Sequence, residues 1–144
     1  MLLRLTRLFT FEMAHALPAY EGKCRNIHGH SYHLQITVEG QPLQQQGAAT
    51  DGMVMDFHQL KEIVNQRVVD VFDHALVLPS QQQEGMASEL GGYSAKLIFT
   101  HFQPTSENLL IHFAQLLEGA MPEGTRLHSL KLYETESSCA ELIL

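Results

Sequence analysis

The chain has 144 residues, of which 44% are hydrophobic and 17% charged, a balance typical of one soluble globular domain covering residues 1–144. It contains no run of about eighteen apolar residues, so no membrane-spanning helix is expected. The formal net charge is -7 and the nine Lys and Arg residues are scattered, which argues against a groove for nucleic acid. The expected partner is a small molecule.

The N-terminal segment MLLRLTRLFTFEMAH has neither an unbroken apolar core nor a small-residue cleavage site. It is therefore not read as a signal peptide, and a cytoplasmic location is expected. Two cysteines, Cys24 and Cys139, are too few for a disulfide framework, so each is expected to be a free thiol.

Two segments alternate between apolar and polar residues, which predicts half-buried strands. The first covers residues 3 to 13, is interrupted only by Arg7, and leaves His15 on the apolar side. The second covers residues 30 to 39 and directs His30 inward and His33 outward.

The middle of the chain predicts a loop, a short strand and a helix. Residues 40–52 are rich in Gly and Gln and read as a connection, followed by a short strand around residues 53–55. Asp56 then opens a helix. Apolar residues recur on one face of this helix: Leu60, Ile63, Val64, Val68 and Val71.

The second half predicts a mobile insertion at residues 79–94, a short strand at 96–101 and a helix that starts at Pro104 and Thr105. A strand then carries His128, Leu130, Leu132 and Glu134 on one face, and a final strand covers residues 139–144. This order predicts an α+β domain with an antiparallel sheet and helices on one face.

Three histidines form a candidate metal site. His28 and His30, at positions i and i+2 of a strand, project to the same face, and a paired N-terminal strand would bring His15 beside them. Three imidazoles leave a fourth position open, as in a catalytic zinc site. The alternative is that His15 is a hydrogen-bonded core histidine and that HGH is a turn.

A thiol and an Asp-His pair are candidates for proton transfer. Cys24 lies four residues before His28, where a bound dication would raise its thiolate fraction. Asp73 and His74 lie at the end of the first helix, where the carboxylate could orient the imidazole. The alternatives are that Cys24 is a small buried residue and that the pair merely ends a helix.

Two carboxylates are candidates for ligand binding, one in the first turn of the second helix and one in the strand that follows this helix. Glu134 shares the parity of Leu130 and Leu132, so its charge would face the core unless a ligand with two adjacent N–H donors, such as a pterin or guanine, satisfied it. The alternative is a surface glutamate at a strand end. Glu107, in PTSEN, is most simply a first-turn acid beside the helix dipole.

Five ordered motifs, FTFEMAH, C-x3-HGHSY, Asp73-His74, PTSEN and YET, together resemble the 6-pyruvoyl-tetrahydropterin synthase family over nearly the whole chain. The three residues between Cys24 and HGH resemble the 6-carboxy-tetrahydropterin synthase branch, which serves queuosine and other deazapurine synthesis. The stretch from Ser80 to Ser94 is longer than in compact members of the family, and its role is open.

The resemblance implies a tunnelling fold with a four-stranded antiparallel sheet and two helices on one face. Subunits would join their sheets into a barrel, and two trimers would stack as a homohexamer with active sites between subunits. It also implies roles for individual residues. These are zinc ligands (His15, His28, His30), a proton-transfer set (Cys24, Asp73, His74) and substrate-binding residues (Glu134 as the pterin anchor, with Thr105, Ser106 and Glu107).

The implied reaction converts 7,8-dihydroneopterin triphosphate to 6-carboxy-5,6,7,8-tetrahydropterin with release of acetaldehyde and triphosphate. Two alternatives stay open. One is 6-pyruvoyl-tetrahydropterin synthase chemistry, which stops before carbon–carbon cleavage. The other is a non-catalytic pterin- or purine-binding oligomer that keeps zinc for structure.

Overall fold

The computed structural model describes residues 1–144, apart from the side chains of residues 82–84. Its centre is a long antiparallel hairpin of β1 (Leu3–His15) and β2 (His28–Gly40). The hairpin is paired without interruption from Leu3 opposite Gly40 to His15 opposite His28. This register follows from the alternation in both segments, because a slip of one residue would turn the apolar face of a strand to solvent.

Two further antiparallel strands extend the sheet on the β2 side. β5 (Thr125–Thr135) pairs with β2 and β6 (Ser138–Ile143) pairs with β5. A β-bulge between Thr37 and Val38 interrupts the β2–β5 pairing. The predicted last two strands are thereby confirmed, and the first of them aligns Glu134 beside the histidine end of β2.

The two helices on the core begin at the predicted caps. α1 (Phe57–Val64) starts after Asp56, whose carboxylate accepts a hydrogen bond from the His58 N–H, and it continues through a π-helical segment (Asn65–Val69) into α2 (Asp70–Phe72). α4 (Ser106–Leu117) starts after Thr105, whose Oγ1 accepts from the Asn108 N–H at 3.3 Å. Side-chain acceptors at these positions satisfy N–H groups that the first helical turn leaves free.

Two short parallel strands complete the sheet on the β1 side. β3 (Ala75–Pro79) runs parallel to β1, and β4 (Leu97–Thr100) runs parallel to β3, so the strand order is β4-β3-β1-β2-β5-β6. The α+β class is confirmed, but the expected sheet of four antiparallel strands is wrong, because the sheet has six strands and β3 and β4 pair in parallel. The β3 segment ALVLP is buried at every position, so it lacks the alternation that would have marked it as a strand.

Two other expectations need correction, and one segment has structure that the sequence did not predict. Residues 53–55 form no strand, since the Leu43 N–H donates to Met53 O and closes a loop there instead. The insertion expected at residues 79–94 contains a 3-10 turn (Ser80–Gln82) and α3 (Gln83–Leu90), which its lack of a clear period did not indicate. Val71 is 41% exposed, because the wider π-helical turn before it shifts the phase of the apolar stripe.

The main core lies between one face of the sheet and α1 and α4. Its largest fully buried side chains come from both layers: Tyr32, Leu34, Ile36, Leu130 and Leu132 from the sheet, and Leu60, Phe72, Leu109, Leu110, Phe113 and Leu117 from the helices. A smaller cluster around Ala16, Leu76 and Leu78 packs against α3. Among the described residues, no helix is long and apolar enough to cross a membrane.

Candidate functional site

The end of the β1–β2 hairpin brings the three predicted histidines together. His15 lies opposite His28 in the ladder, and His30 lies opposite Met13 two residues further along β2. Their ring centroids are 4.6 Å (His15 to His28), 5.2 Å (His15 to His30) and 4.9 Å (His28 to His30) apart. One ring nitrogen from each lies within 4.8 Å of the other two.

Backbone carbonyls fix the tautomers of two of these rings. His15 Nδ1 donates to Pro104 O and His28 Nδ1 donates to Asn26 O, each at 2.7 Å. Because a carbonyl can only accept, both Nε2 atoms are left with lone pairs, and they face each other at 3.1 Å. Two facing lone pairs repel unless a cation lies beside them.

The third ring is oriented toward the same point. His30 Nε2 is buried and has no hydrogen-bond partner. Burial is the main cause that lowers the pKa of both His15 and His30, so both rings are neutral near pH 7. Neutral, converging imidazole nitrogens are the ligands that zinc and related transition metals take, with bonds of about 2.0–2.1 Å. The residues fit such an ion.

Glu134 borders this histidine cluster. Its Oε1 lies 3.5 Å from His15 Nε2 and 3.6 Å from His30 Nε2, and its side chain is 30% exposed. Tyr32 Oη donates to the same oxygen at 3.5 Å. Glu134 therefore extends from the core face of β5, as the alternation predicts, with one side toward the histidines and the other toward solvent.

Tyr32 contributes more than the packing that its sequence position indicates. Its ring is fully buried and stacks on Phe11 at a centroid distance of 5.3 Å. Burial and the negative charge of Glu134 raise the pKa of the Tyr32 hydroxyl, so it stays a hydrogen-bond donor to that carboxylate. Its parity with His30 in β2 was the available sign of this role.

A cavity of about 400 Å³ next to Glu134 collects most of the other predicted residues. Those that line it are Cys24, Thr105, Ser106, Glu107 and Glu134. Ser106 Oγ is buried without a hydrogen-bond partner, so it is free to bond a ligand here. Gln103 and Tyr20 also line the cavity and were missed, because neither stands in a recognisable motif.

Cys24 reaches the cavity from a 3-10 turn (Lys23–Arg25) between the two hairpin strands. Its backbone carbonyl accepts from the Leu17 N–H at 3.0 Å, which closes the loop around it. The thiol is half-buried, and neither Cys24 nor Cys139 forms a disulfide, as the sequence predicts. A half-buried thiol in a cavity can approach a ligand and exchange a proton with it.

Asp73 and His74 contact each other, but neither lines the cavity that contains Cys24. Asp73 Oδ2 is 3.0 Å from His74 Nδ1, and Asp73 Oδ1 accepts from the Glu12 N–H at 2.9 Å. That backbone hydrogen bond, and then the interaction with His74, lower the pKa of the Asp73 carboxyl. His74 is 76% exposed and lines a different cavity of about 550 Å³, so one chain alone does not bring the pair to Cys24.

Comparison with known proteins places these features in a family. The model of the 6-pyruvoyl tetrahydropterin synthase family matches residues 4–143. Two relatives are both called 6-carboxy-5,6,7,8-tetrahydropterin synthase. The protein from Synechocystis sp. is 37% identical to this chain, and the alignment covers 92% of this chain and 86% of the relative. The protein from Haemophilus influenzae is 33% identical, and the alignment covers 96% of both.

Solved structures agree on the fold. An uncharacterized protein from Wolinella succinogenes superposes with a TM-score of 0.78 at 20% identity, covering 99% of this chain and 98% of that chain. The Caenorhabditis elegans 6-pyruvoyl tetrahydropterin synthase gives 0.68 at 24% identity, covering 99% and 96%. Because the family model covers residues 4–143 and both relatives exceed 30% identity over most of the chain, this chain belongs to the 6-pyruvoyl tetrahydropterin synthase family.

Proposed function

We propose that the protein is a zinc-dependent lyase that converts 7,8-dihydroneopterin triphosphate to 6-carboxy-5,6,7,8-tetrahydropterin, releasing acetaldehyde and triphosphate. The observation that carries this proposal is a single cavity in which Cys24 and the orphan hydroxyl of Ser106 lie with Glu134, beside three converging imidazoles. The names of the curated relatives favour the carboxy product over the pyruvoyl product.

The pterin ring would be held by Glu134 and Ser106. A carboxylate that already accepts from Tyr32 on one side has lone pairs left for the adjacent amino and ring N–H groups of a pterin. Ser106 Oγ is a buried polar atom without a hydrogen-bond partner, and Ser106 lines the same cavity. Thr105 acts mainly as the cap of α4, and Glu107 adds negative charge to the same wall.

The metal would be held by His15, His28 and His30. When bound, zinc supplies a Lewis acid that makes substrate hydroxyls and the neighbouring C–H bonds more acidic. Pro104 O and Asn26 O keep the Nδ1 atoms protonated, and that fixes the Nε2 atoms of His15 and His28 as the ligands.

The proposed reaction on the substrate side chain is redox-neutral overall and consumes one water. Protons move from the substrate side chain as the dihydropterin ring becomes tetrahydropterin, triphosphate leaves, and water cleaves the bond that releases acetaldehyde. Cys24 would take and return protons at Sγ. Asp73 would keep His74 in the tautomer that presents Nε2 as a base.

The placement of His74 supports a site completed by a second copy of the chain. The Asp73–His74 pair is exposed and lines a cavity separate from that of Cys24, so the two halves of the proton-transfer set would meet across a subunit interface. The resemblance to the family implies the finer form of this assembly, and on that ground we propose a homohexamer of two trimers. We also propose that it acts in the cytoplasm, in queuosine or related deazapurine biosynthesis.

The test is anaerobic incubation of zinc-loaded protein with 7,8-dihydroneopterin triphosphate, followed by mass analysis of the pterin. The carboxy product is expected. A pyruvoyl product would redirect the assignment to the other branch, and unreacted substrate in the presence of stoichiometric zinc would refute the enzyme.

One observation favours a second candidate, a non-catalytic pterin-binding oligomer with a structural metal. The Glu134 carboxylate is close enough to two imidazoles to close the site as a fourth ligand after a small side-chain movement. This candidate predicts ligand binding without turnover and no effect of Cys24→Ala.

A further inference from the structure

Lys96 lies just before β4, and its ammonium group binds the backbone where the first helix ends. Lys96 Nζ donates to Asp70 O at 2.8 Å and to Asp73 O at 2.7 Å. The Asp70 carbonyl lies in the last turn of the continuous helix formed by α1, the π-helical segment and α2, and Asp73 is the C-cap residue of that helix. Neither carbonyl has a following helical turn to bond it. A lysine that caps two such carbonyls fixes the path of the chain leaving the helix.

That path is strained at His74, the residue proposed to act as a base. His74 is the one residue other than glycine with a positive φ among the described residues, at 59°. This conformation is unfavourable for a residue other than glycine and persists only when its surroundings hold it. The turn places the His74 imidazole 3.0 Å from the Asp73 carboxylate.

The peptide group between Asp73 and His74 is held from both sides. Its N–H, on His74, donates to Glu12 O at 2.6 Å, and its C=O, on Asp73, accepts from Lys96 Nζ. The Asp73 side chain is tied to β1 as well, through the Glu12 N–H. Of these three hydrogen bonds, only the one from Lys96 is made by a side chain outside the Asp73–His74 pair. It can therefore be removed by substitution without changing either member of the pair.

Lys96 is the last residue of the segment between β3 and β4, and hydrogen bonds fix its position. The Leu76 N–H donates to Lys96 O at 2.9 Å, Ser94 Oγ donates to the same carbonyl, and parallel pairing of β4 with β3 begins at the next residue. Leu90, Tyr93 and Ser94 line the same cavity as His74. The long segment is thus built against the Asp73–His74 turn.

We propose that Lys96 is a positioning residue for the Asp73–His74 pair, and that the segment between β3 and β4 serves the active site by supplying it. This inference rests on the proposed function of the pair in proton transfer. Lys96 acts through the peptide carbonyl of Asp73 and does not itself touch the substrate.

The test compares Lys96→Met with Lys96→Arg and with a matched control, Lys61→Met, which removes an exposed lysine of α1. Lys96→Met should lower kcat about 10- to 100-fold, the loss typical of a catalytic group displaced by about 1 Å, with KM and zinc content unchanged. Lys96→Arg should recover most of that loss, because it retains charge and donors. Lys61→Met should match the wild type.

A double-mutant cycle separates positioning from a general effect on the fold. In a His74→Ala background, Lys96→Met should cause no further loss of kcat, because there is no imidazole left to position. A kcat of Lys96→Met equal to that of Lys61→Met, or a full additional loss in the His74→Ala background, would overturn the proposal.

A readout independent of turnover distinguishes failure of this inference from failure of the proposed function. Hydrogen–deuterium exchange of peptides covering residues 70–76 should be at least about tenfold faster in Lys96→Met than in the wild type, and unchanged in Lys61→Met. Faster exchange in a protein with no synthase activity would refute the proposed function and keep Lys96 as the restraint on the turn. Unchanged exchange would refute the restraint.

Discussion

Glu134→Gln is the substitution that best separates a pterin anchor from a metal ligand. Glutamine retains the shape of the side chain and one oxygen that can accept from Tyr32 Oη, so the core around the stacked Tyr32 and Phe11 rings should be unchanged. What it removes is the negative charge and the second acceptor, while adding an N–H₂ group that would face the N–H donors of the ligand.

The magnitude follows from the contacts that are lost. A hydrogen bond to a charged group contributes about 1.5–3 kcal/mol, and about 1.4 kcal/mol corresponds to a factor of ten in affinity. Because one acceptor remains and the side chain is 30% exposed, we expect the dissociation constant for a dihydropterin to rise about 10- to 100-fold. Zinc content should stay stoichiometric, since the three histidine nitrogens are unaffected.

The assay measures both quantities on the same preparation, with pterin affinity from fluorescence titration and zinc from elemental analysis. Glu123→Gln is the matched control, because Glu123 is an exposed glutamate in the turn before β5. Loss of zinc from Glu134→Gln, with pterin affinity unchanged in the zinc-loaded fraction, would refute the anchor and make Glu134 the fourth ligand of a closed site.

The remaining predictions concern the metal, the thiol and a distant ion pair. The purified His28→Ala variant should contain less than one zinc per chain, and a chelator should no longer lower its Tm. His33→Ala, on the exposed face of β2, should match the wild type in both measurements. A zinc content of one per chain in His28→Ala would contradict the ligand set. Cys24→Ala should lower kcat by about 10²- to 10⁴-fold while pterin and zinc still bind, as judged by steady-state kinetics and the titration above; unchanged kcat would exclude the thiol from proton transfer. Hydrogen bonds from Arg126 and Arg4 lower the pKa of the buried Glu39 carboxyl below its ordinary value of 4.5. The ionised carboxylate therefore stabilises the folded protein fully above pH 4.5, and this stabilisation is lost as the pH falls through the folded-state pKa. The Tm difference between wild type and Glu39→Gln should therefore be full at pH 7 and shrink below about pH 4.5; a difference that is constant with pH would contradict it.

The site could be predicted where it depends on strand alternation. The period of two in both hairpin strands placed His15, His28 and His30 on one face, and the same argument turned Glu134 toward the core face of β5. That Glu134 lies beside the histidines is seen only in the structure. The cap residue Asp56 likewise marked the start of its helix. These features are local, so a single sequence contains the information that determines them.

What could not be predicted depends on contacts between distant segments. β3 is buried throughout and has no alternation, so nothing in ALVLP distinguishes a parallel strand from a buried helical turn. The bond between Lys96 and the carbonyl of Asp73 joins residues 23 apart and needs the parallel β3–β4 pair to exist first. The positive φ of His74 is imposed by those contacts and has no local sequence signature.

The carbon–carbon cleavage itself is tested most directly by counting products. Zinc-loaded protein and 7,8-dihydroneopterin triphosphate are incubated without oxygen, and acetaldehyde and triphosphate are quantified in the same sample, with Cys24→Ala in parallel. The proposed function predicts equal amounts of acetaldehyde and triphosphate from the wild type and little of either from the variant. Triphosphate without acetaldehyde, or neither product from fully zinc-loaded wild type, would contradict it.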